Sequence, residues 1–268
     1  EGIRFYSTIR GPAIFRLREH LERLQNSARV LRLTLPSLEQ IENVIKELIR
    51  RNGMREGYIR PHFFYGHLEY GKAKIGLNVQ DSQTESVIAI LPWNNTPQEF
   101  LRVKVSPYRR IDPRSTDVNA KIAGHYVNSF LARLEAGEAG FDETILLDYK
   151  GYVAEASVEN IFAVKDGIFY TPKLGTILPG ITRDRVMTFA KDFGLKVREK
   201  NLRIEFFKKA DEVFLCGTAM EILAVGEIDG VRVGKGGAGS TTRRLAGLYR
   251  DVVEGRVEEY LHWLVFVN

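Results

Sequence analysis

The sequence predicts a mixed α+β fold of the α/β type, divided into two domains. Three observations predict it: strand runs between residues 144 and 170 joined by turns at Lys150-Gly151 and Asp166-Gly167, amphipathic helical stripes between other strand runs, and a Pro/Asn cluster at residues 92–97. The strand runs read as an antiparallel meander and not as a parallel βαβ series, which argues against a dinucleotide-binding fold. The cluster, P-W-N-N-T-P, is the best candidate linker. A small N-terminal α/β domain is therefore expected over residues 1–94, a linker over 95–101 and a larger domain of mostly antiparallel strands over 102–268.

Taken in order, residues 3–16 read as two short strands, I-R-F-Y-S and A-I-F-R, around a turn at Arg10-Gly11-Pro12. Leu17, Leu21, Leu24, Ala28 and Leu31 then recur at helical spacing. Arg23 lies just off that stripe, four residues after Glu19, which reads as an exposed ion pair. Ser37 is placed to cap a second helix with apolar positions Ile41, Val44, Ile45, Leu48 and Ile49, stopped at Asn52-Gly53. In the strand Gly57 to Tyr65, alternation sets Tyr58, Arg60 and His62 on one face and Ile59 and Phe63 on the other. That face is either a pocket wall or a solvated edge. Strands follow at Val87 to Leu91 and Leu101 to Ser106, then a helix expected to run from the Lys121 segment to Ala136 with Gly137 as its stop.

Composition excludes several classes. The 268 residues can bury a core without staples, and the single cysteine, Cys216, rules out an internal disulfide and fits a reducing, cytoplasmic compartment. No apolar run approaches the roughly 20 residues of a membrane span. The net charge is +5, with basic residues in scattered pairs such as Arg109-Arg110, so nucleic-acid binding is not expected. The five histidines are scattered without an H-x-x-x-H pair, and no metal site is expected. The chain opens at Glu1-Gly2 with Ile3 to Ser7 already strand-like, so its natural start is expected upstream and a presequence stays open.

The chemistry-bearing stretch runs from Asn119 to Asn160. It places Lys121 among small and apolar neighbours, Tyr126 five residues on, and Glu155 near the end of a strand after the Lys150-Gly151 turn. An amine that can be desolvated, a phenol and a carboxylate are the groups that pyridoxal phosphate chemistry needs around its ring. Singly, each has a plainer reading: a solvated lysine, a strand-end acid, a core aromatic. Leu178-Pro179-Gly180-Ile181-Thr182 leads directly into a helix with apolar Val186, Phe189, Ala190 and Phe193. It offers either an anion site at a helix N-terminus or a simple Thr cap. Cys216-Gly217-Thr218-Ala219, between two strands, is a second turn of this kind, whereas Gly234-Lys235-Gly236-Gly237 reads as a surface loop.

In this order the segments resemble the class IV (fold type IV) pyridoxal phosphate aminotransferases, the branched-chain amino acid aminotransferases most closely. The matching blocks are E-G-I-R-F-Y, F-R-L-R-E-H-L-E-R-L, Y-I-R-P, N-A-K-I-A-G-H-Y, G-Y-V-A-E-A-S-V-E-N-I-F, L-P-G-I-T-R, A-D-E-V-F-L-C-G-T-A and H-W-L, spread over nearly the whole chain. The resemblance implies pyridoxal 5'-phosphate as cofactor, with Lys121 forming the internal aldimine and moving the Cα proton. It implies Glu155 at the pyridine nitrogen, Tyr126 at the ring hydroxyl, Leu178 packed on the ring, and Arg23, Ile181, Thr182 and Thr218 at the phosphate. It assigns the substrate α-carboxylate to Thr218 and Ala219 near Tyr58, and a distal carboxylate to Arg60. The implied reaction is ping-pong transamination of L-Leu, L-Ile and L-Val with 2-oxoglutarate, L-glutamate being the other product, in a homodimer.

Two departures bear on the pocket: His125 stands where an asparagine is common, and Ala156-Ser157-Val158 replaces a more glycine-rich turn. The rival activities on this fold are D-amino acid aminotransferase, (R)-amine transaminase and aminodeoxychorismate lyase. From other classes, a non-catalytic dimer and a basic nucleic-acid module are the alternatives.

Overall fold

The computed structural model describes residues 1–66, 79, 82–93 and 98–267. The chain divides into two compact units, residues 1–94 with 258–268, and residues 95–257. Of the proline-rich linker, residues 94–97 lie outside the described residues, and Leu101 already belongs to a strand.

In the first unit β1 (Ile3–Thr8), β2 (Gly11–Phe15), β3 (Gly57–Tyr65), β4 (Thr84–Leu91) and β14 (Leu264–Phe266) form an antiparallel sheet in the order β14-β2-β1-β3-β4. Helices α1 (Leu17–Val30) and α2 (Leu38–Asn52) lay Leu17, Leu21, Leu24, Ile41, Ile45 and Ile49 into one core with Ile3, Phe5, Ile14 and Ile59. The helical stripes thus hold except at their margins, where Leu31 and Val44 are exposed. Ser37 caps α2 in a reciprocal pair with Gln40, and Gly53 ends it at φ 61°.

The expected assignment of residues 102–268 to one C-terminal domain fails at its end. β14 pairs with β2, Leu264 opposite Phe15, and Val267 enters the N-terminal core, because the free edge of β2 needs a hydrogen-bonding partner.

The second unit is built on a mixed sheet of β5 (Leu101–Arg109), β6 (Glu143–Leu147), β7 (Val153–Ala156), β8 (Asn160–Lys165), β9 (Ile168–Thr171), β10 (Lys196–Glu199), β11 (Glu212–Gly217) and β12 (Glu221–Ile228), with a short β13 (Val231–Arg232) on β12. Its order is β10-β9-β8-β11-β12-β5-β6-β7, antiparallel except where β5 meets β6 and β12 and where β9 meets β10. The meander expected over residues 144–170 is therefore broken between β7 and β8, which lie five positions apart in that order.

Five strand spacings in a flat sheet would be about 24 Å, whereas the four peptide steps from Ala156 to Asn160 span at most about 14 Å. The sheet must curl until its β7 edge returns to β8, and the Ala156 N–H donates to the Glu159 carbonyl at 2.8 Å across the gap. This curl brings Glu155 and Asn160 together.

Helices α3 (Val127–Glu138), α4 (Ile181–Asp192), α5 (Ile204–Lys208) and α6 (Ser240–Val253) complete the unit, with α3 on β5 and β6, α4 on β10 and β11, and α6 on β11 and β12. Stacked Phe162 and Phe214, with ring centroids 5.1 Å apart, centre one part of its core. The expected helix from Lys121 to Ala136 is different in detail. Lys121 precedes a 3-10 turn at Ala123–Tyr126, and α3 runs through Gly137 to Glu138. Among the described residues no helix is long and apolar enough to cross a membrane.

Candidate active site

Glu155 lies on β7 opposite Leu146, 7% exposed. Its carboxylate accepts from Arg110 Nε at one oxygen, and from Asn160 Nδ2 at 3.2 Å and the Leu178 N–H at 3.1 Å at the other. Burial pushes its pKa up, and the Arg110 guanidinium, the Leu178 N–H and the Lys121 charge pull the other way without reversing the shift. A buried acid held by three donors is aimed and cannot swing to solvent. Arg110, itself 8% exposed, is fixed at the end of β5 by its backbone bond to the Leu147 carbonyl at 2.9 Å.

Lys121 follows the buried Ala120, and its Nζ stands 5.6 Å from the Tyr126 ring centre, within cation–π range. Its charge acts on Glu155 less strongly than Arg110 or the Leu178 N–H does. Tyr126 and Glu155 line a small cleft together with Arg110, His125, Ser157 and Leu178.

Asn160 joins this acid to the next segment, since its Nδ2 also donates to the Leu178 carbonyl at 3.1 Å. A Cβ built on Gly180 would stand 2.0 Å from Asn160 Oδ1, so glycine alone lets that backbone approach. Gly180 precedes α4, and no side chain caps the helix. Thr182, the alternative cap in the sequence, instead lies inside the first turn and is buried. The first-turn N–H groups of Ile181 and Thr182 therefore have no side-chain cap. Thr218, Ala219 and Met220 form the tight turn between β11 and β12, Gly217 opposite Glu221. The glycine abuts Glu159 of the β7–β8 turn, a Cβ there meeting Glu159 Cγ at 3.3 Å. Among the described residues no group of His, Cys, Asp and Glu could hold a metal.

In the N-terminal unit, Arg23 is not the exposed partner of Glu19. Its Nε and Nη2 bind the two oxygens of the buried Glu1 carboxylate at 2.8 and 2.9 Å, and His20 Nδ1 is 2.9 Å from the same group. Burial alone would raise the Glu1 pKa, but Arg23 and His20 hold it well below the usual range. Glu19 pairs with Arg16. On β3, Tyr58 stacks on Trp93 with ring centroids 4.9 Å apart, and the buried Arg4 guanidinium lies over Tyr6 and Trp93, at 4.6 and 5.7 Å. Arg60 and His62 are exposed on the same strand. This face of the sheet is therefore cationic and aromatic.

Sequence reasoning missed Arg110, Asn160, Arg4 and Trp93. Arg110 was visible only as half of a basic pair, and Asn160 only as the end of the V-E-N block. Alternation on β1, with Arg4 and Tyr6 on one face, was a usable signal for the third.

The family description for amino-transferase class IV matches residues 1–228. The chain belongs to the class IV aminotransferases. It is 37% identical to the branched-chain-amino-acid aminotransferase of Escherichia coli over 278 residues, covering 100% of this chain and 88% of that protein. Among solved structures, it is 44% identical to the T.th. branched-chain amino acid aminotransferase complexed with N-(5'-phosphopyridoxyl)-L-glutamate, with a TM-score of 0.95, covering 100% of this chain and 88% of that one. The branched-chain aminotransferase of Thermoproteus uzoniensis with norvaline is 39% identical at a TM-score of 0.93, covering 100% and 89%. The mixed α/β fold of this class IV chain is that of fold type IV.

Proposed function

We propose that this class IV aminotransferase transaminates branched-chain L-amino acids with 2-oxoglutarate, using pyridoxal 5'-phosphate and the Lys121 amine. The observation that carries the reading is the buried Glu155, aimed by Arg110, Asn160 and Leu178 and electrostatically joined to Lys121. The donor set fits the cofactor: an amine for its aldehyde, an acid for its ring nitrogen, a phenol, and a helix start with no side-chain cap for its phosphate. When bound, the cofactor supplies a carbonyl for the amino group and a ring that accepts electrons from the substrate Cα.

The chain's residues do the rest. With the cofactor bound, Lys121 would take and hold the proton of substrate Cα, a transfer that needs an amine freed of its charge. Glu155 keeps a proton on the ring nitrogen, and Arg110 keeps Glu155 ionised enough to do so. Tyr126 donates to the ring hydroxyl oxygen, and Leu178 excludes water from one ring face. Ile181, Thr182 and Thr218 hold the phosphate. Thr218 and Ala219 orient the α-carboxylate.

A second copy of the chain is the partner, because α3 exposes Val127, Phe130, Leu131 and Leu134, a stripe at helical spacing that a monomer leaves wet. The free, buried Cys216 supports a cytoplasmic setting. The test is a substrate panel with 2-oxoglutarate as acceptor. L-leucine, L-isoleucine and L-valine should be turned over at least tenfold faster than D-alanine or an (R)-amine, and the reverse order would sink the branched-chain reading.

A further inference from the structure

Between the end of β5 at Arg109 and the 3-10 turn at Ala123 the chain has no regular secondary structure, and Lys121 stands near the end of that stretch. Without a ladder, such a stretch takes its shape from local cross-links. Small turns shape its parts: Ser115 N–H to the Asp112 carbonyl at 2.9 Å, and Ala120 N–H to the Asp117 carbonyl at 3.1 Å. The imidazole of His125, 8% exposed, then spans it. Its Nδ1 is 3.2 Å from the Ala120 carbonyl, its Nε2 is 2.8 Å from Thr116 Oγ1, and its backbone N–H donates to the Ile122 carbonyl at 3.0 Å. These contacts bracket Lys121 from both sides.

The tautomer follows from the partners. A carbonyl can only accept, so Nδ1 carries the proton, and the neutral ring's Nε2 accepts from the Thr116 hydroxyl. We propose that His125 is a positioning residue for Lys121: its Nδ1–H tautomer clamps Thr116 and Ala120 to the 3-10 turn and so fixes where the lysine amine stands. This rests on the reading of Lys121 as the reacting amine. The charged and titratable groups facing the ring are Arg110 at the end of β5, Asp117 on the loop, and Tyr126 and Glu155 across the same cleft. Burial first, then the Arg110 charge, hold the imidazole below its ordinary range against the opposing pull of the Ala120 carbonyl and Asp117. The ring therefore stays neutral at pH 7 and keeps one tautomer.

Three measurements test the clamp. Nitrogen-15 spectra should show His125 protonated at Nδ1 and titrating below the ordinary imidazole range; an Nε2–H ring would overturn the assignment. In the cofactor-free protein, His125→Phe and Thr116→Val should each raise amide exchange over residues 117–122, and His125→Asn, which keeps a donor at the Nδ1 position, should restore most of the protection. In the holoenzyme the Phe and Val variants should lower kcat ten- to a hundredfold, the range for a reacting group displaced by about 1 Å, with KM for L-leucine within twofold. The double variant should be no worse than His125→Phe, since the two side chains form one unit. Unchanged exchange, additive losses, or a loss confined to KM would each refute the clamp. If the wild type transaminates nothing, the functional reading fails alone, and tautomer and exchange still decide the clamp.

Discussion

Removing Arg110 should expose how the site pays for a buried acid. In Arg110→Met the Glu155 carboxylate keeps Asn160 and Leu178 but loses the guanidinium, and both partners are more than nine-tenths buried. Breaking a buried pair from one side costs about 3–5 kcal/mol, roughly 6–20 °C in melting temperature for a unit of this size. The sign with pH follows from the direction of the shift. Burial already raises the Glu155 pKa, and removing Arg110 raises it further. A raised acid contributes its full stability below its unfolded pKa and loses it as pH rises through the folded one. The deficit of Arg110→Met should therefore be largest at pH 8 and shrink toward pH 5, as Glu155 takes up a proton. Adding Glu155→Gln should recover most of the loss. Urea unfolding of wild type, both single variants and the double variant at the two pH values measures this directly. A deficit under about 1 kcal/mol at pH 8, or one independent of pH, would refute the reasoning.

Other outcomes follow from the same geometry. Gly180→Ala places a methyl 2.0 Å from Asn160 Oδ1, so it should weaken cofactor affinity at least tenfold by titration while the N-terminal unit keeps its melting behaviour. Burial, and then the nearby Glu143 carboxylate, push Glu159 up to about 8. Its stability contribution is present at low pH and lost as pH rises through that value, so Glu159→Gln should flatten the fall in melting temperature between pH 6 and 9. Phe130→Lys puts a charge in the exposed stripe of α3 and should halve the mass seen by sedimentation, whereas an unchanged mass would remove that face from the dimer.

What the sequence revealed was local. The 3.6-residue stripes of α1 and α2, the Ser37 cap and the helix start after Gly180 each depend on neighbours within a few positions, and each is found where the pattern set it. What it hid was nonlocal. Arg110 and Glu155 are 45 residues apart and meet through the order of strands in the second sheet, which no spacing reveals. Arg23 finds Glu1 across 22 residues, although Glu19 is the nearer acid in sequence. The last strand returns to β2 because that edge lacks a partner, and nothing in Leu264 to Phe266 says so locally. His125 was visible as a departure from a common asparagine, but its two contacts lie on an irregular stretch that periodicity cannot read.

The most direct test is the absorbance of the purified protein loaded with pyridoxal phosphate and freed of excess, recorded for wild type and Lys121→Ala before and after L-leucine. Wild type should carry a band at roughly 410–430 nm, as a lysine-bound pyridoxal does, and L-leucine should bleach it; Lys121→Ala should lack it. A band of equal strength in the variant, or one in wild type that L-leucine leaves untouched, would contradict a reacting amine at position 121.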